Sequence, residues 1–149
     1  QALLAAEAGE EKEKDPGFLN GRRIMLVEDN ELNREIAYEL LSESGLIVDV
    51  AENGQEAIKL LGIRPENYYE LIFMDIQMPV MNGYEATATI REGESDYWKT
   101  IPVIAMTANV FQEDESRAAE CGMSDYVTKP IDMNVIYSVL EKWLRGQKG

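Results

Sequence analysis

From position 22 onward the chain alternates short apolar runs with longer stretches whose apolar residues recur at helical spacing. RIMLV (23–27) is a compact apolar run followed at once by two acids, the pattern of a strand buried on both faces. Asn30 is placed to cap a helix whose apolar positions Leu32, Ile36, Leu40 and Leu41 follow helical spacing and which ends near Gly45. LIVDVA (46–51) reads as a second strand, and a helix begins at Gly54 with Ala57, Ile58 and Leu61 on one side. The cycle then repeats. A strand over 69–74 leads into Asp75, and a helix follows over 84–91. A fourth strand (IPVIAM, 101–106) precedes a helix over 110–121 closed by Gly122, and a fifth (DYVT, 125–128) precedes a last helix over 133–144. Five strands alternating with five helices predict an α/β fold, a doubly wound parallel sheet with helices on both faces.

The leading segment 1–20 departs from this rhythm: Ala, Leu and Glu, good helix formers, give way to the charged EEKEKD and stop at Pro16-Gly17. It reads as a solvated linker or N-terminal extension, with a helix connecting to an upstream domain as the sharper alternative. One domain is expected over 21–146 and a short tail over 147–149, and a total of 149 residues suits a single compact core. The start is not a signal peptide, since no basic stretch precedes an apolar one. No apolar run approaches the roughly 20 residues of a membrane span. A soluble, cytoplasmic segment without membrane contact of its own is expected. The missing initiator Met and the linker-like opening favour a piece of a longer protein.

Composition narrows the chemistry. Apolar residues at 45% and charged residues at 28% are ordinary for a globular domain, but the net charge of −14 argues against nucleic-acid binding and for cations or basic protein faces as partners. The absence of histidine excludes Ser-His-Asp and Cys-His mechanisms, zinc binding through imidazole, and a phosphohistidine on this chain. The single cysteine, Cys121, cannot form an internal disulfide and reads as a small buried apolar residue of a helix.

In an open parallel sheet, ligands bind beyond the carboxyl ends of the strands. Strand one ends in Glu28-Asp29, strand three in Asp75, strand four in Thr107 and strand five in Lys129-Pro130. Three carboxylates, a hydroxyl and an amine thus converge on one edge. Clustered carboxylates raise one another's pKa unless a cation is present. A hard divalent ion such as Mg²⁺ takes oxygen ligands and keeps several waters. One carboxylate could then attack a phosphoryl group, with the metal, Lys129 and Thr107 meeting the charge on its oxygens.

The segments VEDN (27–30), MDIQMPVMNG (74–83), MTAN (106–109) and DYVTKP (125–130) resemble the signature of response-regulator receiver domains of two-component systems, over about 22–144 and in the family's order. The resemblance implies a flavodoxin-like (βα)5 sheet with strand order 2-1-3-4-5, and Asp75 as the phosphoacceptor of a phosphorelay, able to lose its phosphoryl group again. It implies that Asp29 ligates Mg²⁺ directly, that Glu28 acts through a metal-bound water, and that Asp75 and the Gln77 backbone carbonyl complete the ligand set. Thr107 and Lys129 would bind phosphoryl oxygens. Thr107 and Tyr126 would form a switch that alters the face made by 110–121, the fifth strand and 133–144. Pro130 fits a cis peptide bond after the lysine. Met78, Pro79 and Met81 would shape the neighbouring loop through hydrophobic packing, and Gly83 would supply a backbone conformation that other residues resist.

The segments MTAN and GMSDYVTKPI look most like receivers of hybrid sensor histidine kinases. Phosphohistidine of a histidine kinase would then be the donor and a histidine-phosphotransfer protein the recipient. A stand-alone response regulator is the alternative. Gln77 and Asn109 are neutral amides that cannot act as a base toward water, so the phosphoryl group is expected to last minutes or longer. Two rivals fit less well. A haloacid-dehalogenase-type phosphatase wants a second Asp where Gln77 stands, and a receiver-like module that works without phosphorylation would have lost one of the five acidic, hydroxyl and lysine positions that this chain keeps.

Overall fold

A computed structural model describes residues 17–78, 81–107, 112–129 and 131–145. The strands are β1 (Arg23–Val27), β2 (Ile47–Ala51), β3 (Leu71–Asp75), β4 (Val103–Thr107) and β5 (Asp125–Thr128). Between and after them come the helices α1 (Glu31–Glu43), α2 (Gly54–Ile63), α3 (Gly83–Arg91), α4 (Asp96–Thr100), α5 (Gln112–Cys121) and α6 (Met133–Leu140). All strand pairs are parallel and the order is β2-β1-β3-β4-β5, as the motifs imply.

The apolar runs explain the layering. β3 is buried throughout, β1 after its first residue and β4 up to its last, because helices cover both faces of the central strands. Side chains alternate between those faces. Met25, Val27, Ile72, Met74, Val103 and Ala105 pack with residues of α2, α3 and α5, whereas Ile24, Leu26, Phe73, Ile104 and Met106 pack with α1 and α6. Side-chain caps start the helices: Asn30, Asn53 and Asn82 each accept a backbone N–H from the third residue on, and Asn82 with Glu85 completes a capping box. Gly45 and Gly122, with φ of +101° and +104°, turn the chain out of α1 and α5 through the left-handed region.

Four features differ from the sequence expectation. In α1 the buried positions are Ala37 and Leu41, while Leu32 and Ile36 are 65% and 49% exposed. Small Ala37 lets the helix lie close to the sheet, whereas Leu32 faces solvent and Ile36 lines a small cleft with Glu28, Lys129 and Ile131. The short helix α4 was not expected; Ser95 caps it, but it buries none of its residues and so has no apolar period to read. The last helix keeps α geometry only to Leu140 and widens into a π turn over Glu141–Arg145, in which Leu144 stays buried and the Trp143 indole donates to Asp125 (2.9 Å). Finally, Phe18 and Leu19 of the leading segment are buried against the α1–α6 face. Phe18 meets Tyr137 edge-on at 6.1 Å, and Arg22 lies over its ring while its Nε donates to the Phe18 carbonyl (2.9 Å).

Candidate functional site

β1 and β3 run side by side with Val27 opposite Met74, at the point where strand order reverses. The loop after β1 therefore meets the end of β3, which is where a parallel sheet opens a crevice. There the carboxylates of Glu28, Asp29 and Asp75 each place an oxygen within 4.8 Å of the other two. Glu28 and Asp75 are 2% and 4% exposed, and Asp29 is open to solvent. Buried carboxylates need partners. The Lys129 ammonium lies 3.0 Å from Glu28 Oε1 and 3.2 Å from Asp75 Oδ1. Backbone amides supply the rest: Asn30 N–H donates to Glu28 Oε2 (3.2 Å) and Gln77 N–H to Asp75 Oδ1 (3.3 Å). Lys129 is itself anchored by its N–H to the Thr107 carbonyl (2.8 Å), which joins the ends of β4 and β5.

The electrostatics are unbalanced. Burial, and then the charge of Glu28, push the Asp75 carboxyl up to about 7, with Lys129 opposing the shift. Burial alone would lower the Lys129 ammonium, but its hydrogen bond to Glu28 and the charge of Asp75 outweigh that, and its pKa is raised. One ammonium therefore faces three carboxylates. The donors are all hard oxygens, their spacing brings them within reach of one ion directly or through its waters, and the negative charge is in excess. A Mg²⁺-type cation fits this set, and a thiolate- or imidazole-seeking metal does not.

The other predicted residues are spread over β4, β5, α5 and the loop after β3. Thr107 ends β4 half-buried and lines a cleft of about 460 Å³ with Gln77, Asn82, Tyr84 and Arg117, the last with its guanidinium 4.3 Å over the Tyr84 ring. Tyr126 is exposed on β5, and Met78 and Met81 pack into the core. Gly83 corrects one expectation, for its φ is not positive and its role is space. A Cβ there would collide with the Asp75 carbonyl oxygen and come within 2.9 Å of Ile76 Cα, so glycine lets the start of α3 pass directly against the end of β3. Cys121 is half-buried, its thiol pushed up by burial and donating to the Ala118 carbonyl (3.2 Å). Pro79, Asn109, Val110 and Pro130, with the expected cis bond, lie outside the described residues.

One neighbour was missed from the sequence. Arg34, in the first turns of α1, donates from Nη1 to the carbonyls of Glu28 (3.0 Å) and Asp29 (3.4 Å). The signal was available: helical side chains lean toward the helix N-terminus, so a long residue four after the cap overlooks the preceding loop.

Residues 24–141 match the response regulator receiver domain family. The chain is 36% identical over 143 residues to the hybrid signal transduction histidine kinase L of Dictyostelium discoideum, covering 95% of this chain and 8% of that protein. Among solved structures it resembles the receiver domain of the sensor histidine kinase PA1611 from Pseudomonas aeruginosa, which has a magnesium ion coordinated in its active-site cleft (33% identity, TM-score 0.74, 83% of this chain and 97% of that one). It also resembles the receiver domain of Saccharomyces cerevisiae Ssk1, crystallised with the histidine phosphotransfer protein Ypd1 (31%, TM-score 0.76, 87% and 92%). A doubly wound sheet with acids at its switch point and a lysine across from them defines the class, and the chain belongs to the response regulator receiver domain family. It spans only 8% of the length of the first of these relatives.

Proposed function

We propose that this receiver takes a phosphoryl group on Asp75 in a Mg²⁺-dependent reaction, within the phosphorelay of a hybrid sensor histidine kinase. The observation that carries the reading is the Asp75 carboxylate, buried yet 3.2 Å from Lys129 and beside two further acids. An Asp75 oxygen forms the bond to phosphorus as the bond to the donor's imidazole nitrogen breaks. Asp75 must be ionised to attack, and Lys129 counters charge on the phosphoryl oxygens. Thr107, at the mouth of the cleft, donates its hydroxyl to one of them. Asp29, Asp75 and the Gln77 carbonyl are the direct cation ligands and Glu28 acts through water; the cation supplies neutralisation of the phosphoryl and carboxylate charge.

The added charge biases a two-state surface: Thr107 moves toward the phosphoryl group and Tyr126 rotates inward, altering the α5–β5–α6 face. Phosphohistidine of a kinase or of a phosphotransfer protein is the partner, a class supported by the resemblance to the Ssk1 receiver. Among the described residues no helix is long and apolar enough to cross a membrane, and we place the domain in the cytoplasm. With an amide at Gln77, purified phosphoprotein in Mg²⁺ should decay over minutes or longer; decay within seconds contradicts this. The central test is intact mass after incubation with acetyl phosphate or a phosphorylated kinase plus Mg²⁺. Wild type should gain one phosphoryl group and Asp75→Asn none. A wild type unmodified by both donors, or a modified Asp75→Asn, overturns the proposal.

A further inference from the structure

We infer that Arg34 is a positioning residue for the cation site, holding the Glu28-Asp29 segment in the geometry that binds the ion; the inference rests on the proposed reading of that site. Its guanidinium is largely enclosed, with the side chain 17% exposed. One nitrogen, Nη1, takes two successive carbonyls, Glu28 at 3.0 Å and Asp29 at 3.4 Å. The other, Nη2, lies 3.8 Å from Glu52 Oε2 in the loop after β2. That loop is fixed in turn, since Glu52 N–H donates to Glu56 Oε1 at 2.9 Å and Asn53 caps α2. One side chain thus ties together the loops that leave two adjacent strands on the carboxyl edge of the sheet.

The consequence for the acids is geometric. Two consecutive carbonyls held from one point restrict the φ and ψ of Asp29, which lie between them, and so the direction in which its carboxylate leaves the chain. Glu28 is constrained further by Lys129 and by the Asn30 amide, whereas the exposed Asp29 has no such side-chain anchor among the contacts described. Preorganisation of ligand-bearing backbone typically alters metal affinity about 10–100-fold.

Charge and positioning predict opposite signs, which makes the inference testable. Arg34 is a cation beside an acidic centre, so its charge alone opposes Mg²⁺. If charge were its whole effect, neutralising it would tighten binding. If it positions the loop, neutralising it loosens binding.

Mg²⁺ titration calorimetry on metal-free wild type, Arg34→Gln, Arg34→Lys and Glu52→Gln separates these cases, with thermal melts in EDTA to register folding. Arg34→Gln should weaken Mg²⁺ binding about 10-fold. Arg34→Lys should recover part of it, and Glu52→Gln, in which both carbonyl bonds remain, should lose less than Arg34→Gln. Affinity in Arg34→Gln equal to or tighter than wild type overturns the inference and leaves the proposed function standing. Wild type that binds no Mg²⁺ overturns both. Should Arg34→Gln fail to fold, Arg34→Lys decides, because it keeps the charge and loses the planar fork: an affinity equal to wild type overturns the inference.

Discussion

Asp75 is held where it ionises reluctantly, and that has a consequence for stability. Its carboxyl is raised from 3.8 to about 7, so between those values the folded, metal-free protein binds more protons than the unfolded chain. Stability then falls as pH rises from about 4 to about 7, by on the order of 2–4 kcal/mol. Asp75→Asn removes this penalty. In EDTA it should be more stable than wild type at pH 7.5, with the gap closing toward pH 5; urea denaturation at the two pH values measures it, and a variant weaker than wild type at pH 7.5 contradicts the account. Lys129→Ala acts in the other direction by leaving Glu28 and Asp75 buried without their shared cation. It should destabilise the fold by about 1–3 kcal/mol, below the full value for a buried pair because the lysine side chain is 23% exposed. The sequence showed which residues stand at the strand ends, since that follows from where each strand pattern stops. It did not show that one ammonium serves two acids, nor that Gly83 is required by a carbonyl pressed against it, because both are distances between separate segments.

At the scale of elements, periodicity located α1 but not its buried side. Two lines of the helix carry apolar residues at helical spacing, and the one that faces the sheet is marked by a small residue, Ala37. Leu41→Ala should therefore cost about 2–4 kcal/mol, whereas Leu32→Ser and Ile36→Ser should each change stability by about 0.5 kcal/mol or less. Equal losses at Leu32 and Leu41 in urea would mean that the helix is rotated. The same limit hid α4 and the π turn. A single helical turn with only Tyr97 and Trp98 half-buried against the core is too short to show a period, and the widening after Leu140 reflects where Leu144 and Trp143 find partners. By contrast, β1 and β5 match their expected bounds: β1 is a short apolar run stopped by Glu28-Asp29, and β5 is set off by the turn residue Gly122 before it and Lys129-Pro130 after it.

Over the whole molecule, the two ends of the sheet do different work. Glu28, Asp29, Asp75 and Lys129 lie at the carboxyl ends of the strands, and Phe18 and Leu19 precede β1 at the opposite end. Two apolar residues after Pro16-Gly17 are too few to read as an element, and their contact with Tyr137, far along the sequence, is visible only in three dimensions. Burying a Leu and a Phe contributes about 1.5–3 kcal/mol each, so a chain beginning at Gly21 should lose about 3–6 kcal/mol relative to one beginning at Gly17. Arg22 would also lose the Phe18 carbonyl it bonds, keeping its 2.7 Å ion pair with Glu70. Because the lost packing lies across the sheet from the acids, Mg²⁺ affinity should stay within about 2-fold while the urea midpoint drops. A parallel fall in affinity would show that the leading turn and the acidic edge form one cooperative unit, and that the strands between them transmit strain from one end to the other.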